Sequence, residues 1–134
     1  MTSSLITGIA HVGIRVHDLA RAQAFYELLG FELVLGPVGP EPVAILEHSS
    51  GIEINLILNA ADPDAVNVLM DVPVKQPGYT HVALITSDLA AAQKLLADNG
   101  FPTTEGPIEF PGGIRAIFVR DPDRNVVELD ELPG

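Results

Sequence analysis

The sequence predicts an α+β fold made of two tandem βαβββ modules. The main observation is an internal repeat, with HVGIRVHDLARAQAFYELLGF beginning at residue 11 and THVALITSDLAAAQKLLADNGF beginning at residue 80. An offset of 70 residues (81 − 11) aligns the histidines, the aspartates and the glycines of the two copies. Each copy starts with an alternating run that is typical of a strand, followed by an Asp at a helix N-cap position. A short amphipathic segment then ends at a glycine, which indicates a helix with a glycine stop.

The remaining elements follow in the same order in both halves. In the first module, residues 1–60, the helix precedes the strand-like runs FELVLGPV and VAILEH, a Ser-Ser-Gly turn and the run GIEINLIL. In the second module, residues 78–134, a weaker strand FPTTE precedes GIRAIFVR, a DPDRN turn and VVELDE. The connector, residues 61–77, has no sustained period, and its VNVLMDVPV could form a short strand or one wall of a cleft. We expect one structural domain overall.

Composition limits the function classes. The chain has 134 residues, 47% of them hydrophobic, and a formal net charge of −11. That charge would repel nucleic acid and anionic membrane surfaces, so we expect a small-molecule substrate and neither of those partners. The chain has no cysteine, so a metal site would have to use His, Asp, Glu and water. No basic leader precedes a long apolar run, and no segment approaches the roughly 20 apolar residues that span a bilayer, which predicts a cytoplasmic protein.

Strand alternation predicts which side chains face away from the helices. It places His11 opposite the apolar positions of the first strand, and it places Glu53 with Asn55 on the polar side of the fourth. His81 and Glu128 hold similar positions in the second module. A lone His or Glu on a strand is usually structural or solvated, but a repeated fold does not require these residue types to recur. Two His and two carboxylates form a plausible ligand set for Ni, Zn, Co, Fe or Mn.

The other polar residues receive simpler interpretations. Asp18 and Asp88 are predicted helix caps, and His17 and His48 are predicted to be exposed polar residues. Arg15 shares the face of His11, so it could bind a substrate carboxylate or form an ordinary surface ion pair.

The opening HVGIRVHDLARAQAFYELLGF and the late FVRDPDRNVVELDE resemble the vicinal oxygen chelate superfamily, over essentially the whole chain. The resemblance implies the glyoxalase/bleomycin-resistance fold, in which paired βαβββ modules form a curled sheet around a metal cleft. The superfamily includes glyoxalase I, extradiol dioxygenases, an epimerase, fosfomycin-resistance enzymes and bleomycin-binding proteins. One scaffold therefore hosts several chemistries.

The set His11, Glu53, His81 and Glu128 is similar to that of glyoxalase I. The resemblance implies one divalent metal ion (Ni, Zn or Co, with Fe or Mn as alternatives) and a homodimer with sites shared between chains. It implies a lyase or isomerase that acts on a hemithioacetal or another small α-hydroxycarbonyl compound through a metal-bound enediolate. Glu128 is the preferred catalytic base, with Glu53 as its symmetric partner. The alternatives are an extradiol-type dioxygenase and a non-catalytic drug- or metabolite-binding protein.

The resemblance also implies substrate contacts. Arg15 matches a glyoxalase arginine that holds a glutathione carboxylate. Where glyoxalase I has an asparagine this chain has Ile57, and Asn55 and Asn59 are near substitutes. Separately from the resemblance, the segment EGPIEFPGG, residues 105–113, has the composition of a hinged loop, so we expect it to act as a lid, with Phe110 and Met70 forming an apolar wall over the substrate. Alternatively, Phe110 fills a gap in the core.

Overall fold

The computed structural model describes residues 4–62, 64 and 66–134. Residues 1–3 of the predicted first module and residues 63 and 65 of the predicted connector therefore lie outside the described residues. Two helices and eight strands are present in the described part. The first module contains β1 Val12–Arg15, α1 Leu19–Leu28, β2 Phe31–Val38, β3 Val43–His48 and β4 Glu53–Ile57. The second contains β5 His81–Ile85, α2 Leu89–Asp98, β6 Glu105–Phe110, β7 Ile114–Arg120 and β8 Val126–Glu131.

The strands form two four-stranded sheets with matching topology. The strand order is β1-β4-β3-β2 in the first sheet and β5-β8-β7-β6 in the second. The first strand of each module runs parallel to its last strand, and the other neighbours are antiparallel. The prediction of two tandem βαβββ modules is confirmed.

Each helix begins and ends as the repeat predicts. Asp18 accepts a 2.9 Å hydrogen bond from the backbone N–H of Arg21, and Asp88 accepts a 3.0 Å bond from that of Ala91. These bonds satisfy donors that a helix N-terminus leaves free. Gly30 and Gly100 follow the two helices with φ of +95° and +90°, a conformation that favours glycine.

The prediction for residues 101–113 is wrong in its details. The strand is Glu105–Phe110, so most of the predicted hinged loop belongs to the sheet and only 111–113 form the turn. Gly106 explains the error, because it has φ +99° at a register shift between β6 and β7. A Cβ there would lie 2.7 Å from the carbonyl oxygen of Ala116. The glycine and proline therefore mark an irregularity inside a strand.

A single apolar core contains residues from both sheets and both helices. Its fully buried side chains come from every part of the repeat: Val16, Ala22, Phe25, Tyr26, Ala44, Leu46, Ile54, Leu56, Leu96, Ile117, Val119 and Val127. One cluster of buried side chains therefore includes residues of both modules. In the described residues, no helix is both long and apolar enough to cross a membrane.

The connector packs against the second module. Described connector residues 66–77 form turns and bends and no strand, which favours the cleft-wall interpretation of this segment. Asp71 accepts bonds of 2.7 and 2.8 Å from the guanidinium of Arg120, and Arg124 approaches it at 3.4 Å. Asn67 donates a 3.0 Å bond to the carbonyl oxygen of Arg124. These contacts hold the segment against the turn between β7 and β8.

Candidate functional site

The first His–Glu pair lies at the start of β1 and β4. Val12 is in register with Ile54, so His11, one residue earlier, lies beside Glu53. Nδ1 of His11 is 3.5 Å from Oε2 of Glu53, and both side chains are partly exposed. This face of the strands is opposite the buried residues Ile54 and Leu56, as alternation predicts.

The second pair is tighter and more buried. Nε2 of His81 is 3.1 Å from Oε1 of Glu128, whose side chain is only 11% exposed. The other ring nitrogen of His81 lies 2.8 Å from the hydroxyl of Thr80, and the ring meets Phe118 edge-on with centroids 5.8 Å apart. Three neighbours therefore fix the orientation of this imidazole.

The electrostatic surroundings of Glu128 differ from those of an ordinary surface carboxylate. Burial, with smaller contributions from the hydrogen bond and the negative charge of Asp130, raises the pKa of Glu128 to about 7. Asp130 is two residues along β8 and shares the same face. The site thus contains two neighbouring carboxyl groups that disfavour simultaneous ionisation.

The strand register corrects the predicted symmetry of the two glutamates. Gly13 pairs with Asn55, and its repeat counterpart Ala83 pairs with Glu128. Asn55 is therefore the structural counterpart of Glu128, and Glu53 corresponds to Val126. The sequence offset of 70 residues holds through the strand and helix of each module, but the later segments differ in length. The two glutamates therefore lie at positions that differ by two residues along the last strand of each module.

The donor set can be compared with the needs of a divalent metal. Two ligands bonded tetrahedrally at about 2.0–2.1 Å lie about 3.3 Å apart, close to the 3.5 and 3.1 Å separations within the two pairs. Imidazole and carboxylate are also suitable ligands. Among the described residues, however, no three His, Asp or Glu side chains come together in an arrangement that could hold a metal ion. Each module thus presents two predicted ligands, and a four-ligand centre requires the two pairs to meet.

A cavity of about 160 Å³ lies between the edge strands β1 and β5. It is lined by Arg15, His81, Asn67, Asn125 and Tyr79, among others. The structure therefore brings two predicted site residues, Arg15 and His81, to one cavity.

Arg15 already has protein partners. Its Nε donates a 2.8 Å bond to Asn59, and its terminal nitrogen lies 3.5 Å from Glu41. Asn59 also donates a 3.0 Å bond to Glu41. Of the two predicted roles of Arg15, the structure contains the surface ion pair; a substrate carboxylate would have to replace Glu41.

The other predicted substrate contacts are separate from this cavity. Phe110 is 39% exposed at the end of β6, so the core interpretation is wrong for this residue. Met70 is half-buried in the connector, and its neighbour Leu69 lines the cavity instead. Oδ1 of Asn55 is buried and has no hydrogen-bond partner in the described structure. Asn55 thus keeps an acceptor free on the face that carries Glu53.

Three residues near the site were missed from the sequence. Alternation along the last strand places Asp130 on the same side as Glu128, and only its role in the site was missed. Phe118 is in register with Glu128, and only strand pairing reveals that relationship. Asn67 reaches the cavity because the connector folds back, and no periodic pattern indicates this.

The predicted exposure of His17 is wrong, because its ring bonds the Ala60 carbonyl at 3.0 Å and is half-buried. His48 is half-buried as well, with its ring 5.2 Å from that of Phe31.

Comparison with known proteins identifies the family. The profile described as Glyoxalase/Bleomycin resistance protein/Dioxygenase superfamily matches residues 8–129. The chain belongs to this superfamily. It is 31% identical over 128 residues to the glyoxalase domain-containing protein RDO1 of Mycosarcoma maydis, covering 92% of this chain and 68% of that protein.

Solved structures of other proteins agree with the fold. A glyoxalase/bleomycin resistance protein/dioxygenase superfamily member from Sphaerobacter thermophilus is 30% identical, with a TM-score of 0.70 over 96% of this chain and 99% of that one. A domain of this type from Frankia sp. EAN1pec has a TM-score of 0.79 at 22% identity, covering 96% and 94%. TnmS3, an antibiotic-binding protein from Streptomyces sp. CB03234, has a TM-score of 0.73 at 24% identity, covering 98% and 100%.

Proposed function

We propose that the protein is a metal-dependent lyase or isomerase of the glyoxalase I type, acting on a hemithioacetal or another small α-hydroxycarbonyl compound. The observation that carries the proposal is the pair of His–Glu contacts, one in each module, on the face away from the helices. The separation within each pair and the donor types suit metal ligands, and one divalent ion held by His11, Glu53, His81 and Glu128 requires the two pairs to meet. Membership of the superfamily, which includes enzymes, agrees with this proposal but does not specify the reaction.

Glu128 would move the proton in this reaction. Its carboxyl is mostly buried beside His81 and can accept a proton from a carbon of the substrate and return it to the neighbouring carbon. A bound divalent metal would stabilise the negative charge that develops on the substrate oxygens. Thr80 and Phe118 orient His81.

We further propose that the complete site is formed between two copies of the chain. Large apolar side chains are exposed on several strands and in the connector, which supports an interface with another copy. They include Ile9, Val34, Leu35, Val74, Tyr79 and Ile85. In a symmetric homodimer, the pair of one module could meet the other pair of a second copy.

Mixing two inactive variants tests the shared site. His11→Ala and His81→Ala should each be inactive alone as homodimers. After unfolding and refolding together, the heterodimer would contain one intact site, restoring about a quarter of wild-type activity. No recovery, with heterodimers verified by mass, would place the site within one chain.

Metal analysis of protein purified without added metal tests the centre itself. We expect a stoichiometric divalent metal in the wild type, none in the His11→Ala, His81→Ala double variant, and normal content in a His17→Gln control. Activity is measured as rearrangement of the hemithioacetal formed from a 2-oxoaldehyde and a thiol. Full metal occupancy in the double variant would contradict the proposal.

A non-catalytic binding protein is the second candidate, favoured by the fold similarity to the antibiotic-binding protein TnmS3. In this case the contact between His81 and Glu128 is a structural one. Tight binding of a small molecule that survives both chelation and His81→Ala would support it, because the enzyme proposal requires both the metal and the imidazole.

A further inference from the structure

The two modules meet at two seams that are related by the internal repeat. We define the first seam as α1 against turn 121–125, and the second as α2 against turn 48–52. In both turns the N–H of the first residue donates a 2.9 Å bond to the carbonyl of the fifth, and the N–H of the fourth donates a 2.9 Å bond to the carbonyl of the first. The fourth residue is Gly51 or Arg124, with φ of 97° and 66°. The two turns therefore have the same backbone hydrogen bonds, and their side chains determine how tightly each seam packs.

The first seam is closed by polar contacts. Asp121 accepts a 2.9 Å bond from the hydroxyl of Tyr26, and Asp123 accepts a 2.9 Å bond from the backbone N–H of His17. Arg21 donates a 3.0 Å bond to the carbonyl oxygen of Pro122. The aromatic ring of Phe25 is fully buried next to this contact and packs edge-on against Phe101 at 4.9 Å.

The second seam has smaller and less polar residues at the corresponding positions. Leu95 and Leu96 stand 70 residues after Phe25 and Tyr26, so two leucines replace two aromatic rings. Leu95 is 45% exposed, whereas Phe25 is fully buried. A groove of about 310 Å³ opens here.

The groove has an apolar wall and a polar end. Its apolar wall includes Phe31, Leu84, Leu95 and Leu129, and its polar residues include His48, Ser50 and Ser87. Ser50 and Ser87 are the counterparts of Asp123 and His17, the residues that join the modules in the first seam. An apolar cavity of about 150 Å³ is large enough to bind benzene, so this groove can hold one or two rings.

We propose that this groove is a binding site for a small aromatic molecule that carries one hydrogen-bonding group. In the first seam two side chains supply these contacts: the ring of Phe25 packs on Phe101, and the phenol hydroxyl of Tyr26 bonds to Asp121 of the turn. A ligand with a ring beside Phe31 and Leu95 would take the place of the Phe25 ring, and its hydroxyl would bond to His48, the counterpart of Asp121, or to Ser50 or Ser87. The net charge of −11 disfavours an anionic ligand, so the molecule is neutral or cationic. This site is separate from the His–Glu pairs and does not depend on the proposed reaction.

The test uses p-cresol, which has the shape of a tyrosine side chain, with toluene as the analogue without a hydroxyl. Titration into ¹⁵N-labelled protein should shift the backbone amides of Ser50, Thr86 and Ser87 saturably, with weaker binding of toluene. Leu95→Phe should weaken p-cresol binding by about tenfold or more, because the new ring occupies the groove. Leu132→Phe is the matched control, since Leu132 is 48% exposed and Leu95 is 45% exposed. Ala92→Leu fills the groove from the same helix if Leu95→Phe does not fold.

Three outcomes would overturn the proposal. The first is the lack of a saturable shift at these amides, and the second is unchanged binding in both filling variants. The third is concentration-dependent shifts of the same amides without p-cresol, which would mean that a second copy of the chain covers the groove.

Discussion

The hydroxyl of Tyr26 donates a 2.9 Å hydrogen bond to Oδ2 of Asp121, which joins the helix of the first module to a turn of the second. Oδ1 of Asp121 also accepts the N–H groups of Asp123 and Asn125 at 2.9 and 2.8 Å. Burial raises the pKa of Tyr26 well above its ordinary value, and the charge of Asp121 adds to this. Burial likewise raises the pKa of Asp121. This hydrogen bond is therefore buried, and the protonation of each of the two groups depends on the other.

Removing the hydroxyl should destabilise the protein. Tyr26→Phe leaves the buried Oδ2 with one partner fewer, so we expect the free energy of unfolding to fall by about 1–3 kcal/mol in urea denaturation. Ser49→Ala is the control, because it removes a hydroxyl from an exposed position and should change stability by less than about 0.5 kcal/mol. Equal effects of the two substitutions would show that the bond contributes nothing.

Glu128→Gln should remove proton transfer while keeping the shape of the side chain. If Glu128 is the base, turnover in the metal-loaded protein should fall by about two to four orders of magnitude. Glu27→Gln, on the exposed side of α1, should leave turnover unchanged. Normal turnover of the Glu128 variant would assign the base to another group.

Stability should depend on pH through the same residue. The folded pKa of Glu128, about 7, is above its ordinary 4.5, so the folded chain binds this proton more tightly than the unfolded chain. The stabilisation is complete below about pH 4.5 and is lost as the pH rises through about 7. In the presence of a chelator, wild type should lose on the order of 2 kcal/mol more than Glu128→Gln between pH 5.5 and 8. Parallel pH profiles of the two proteins would contradict this assignment.

Asp71→Asn should loosen the connector. Arg120 holds the pKa of Asp71 below its ordinary value mainly through their hydrogen bond, which the neutral amide weakens. We expect faster hydrogen exchange at the amides of Leu69 to Asp71 and a loss of stability of about 1 kcal/mol or less. Asp64→Asn in the same connector is the control. Unchanged exchange would mean that other contacts hold this segment.

Phe110→Ala should test whether Phe110 contacts the substrate, because its truncation should change stability only slightly. Truncation of a fully buried Phe costs about 3–5 kcal/mol, as we expect for Phe25→Ala. Phe110 is 39% exposed, so its truncation should cost much less. If Phe110 contacts substrate, KM should rise in the variant. A normal KM would remove Phe110 from the proposed site.

Much of the fold follows from the sequence because its signals are local. The alternating strands, the caps Asp18 and Asp88 and the stops Gly30 and Gly100 each act within a few residues. The same locality explains the error at β6, where glycine and proline suggested a loop. The shift between β6 and β7 depends on how close Ala116 of the neighbouring strand comes to Gly106.

The site was predictable only in part, for the same physical reason. Alternation correctly placed His11 with Glu53 and His81 with Glu128 on one face. It could not reveal that Asn55 is the counterpart of Glu128, because register depends on pairing between distant strands. The partners of Arg15 come from residues 26 and 44 positions away, so no local pattern could predict them.

The topology also has a consequence for folding cooperativity. Within the described residues, every ladder of sheet hydrogen bonds joins strands of the same module. Each sheet can therefore complete its own backbone bonding, and the coupling between modules depends on the shared core and the first seam. An unfolding intermediate with one intact module should be populated when that seam is weakened. Tyr26→Phe would then broaden the transition and lower its m-value, while leaving each sheet's internal pairing unchanged.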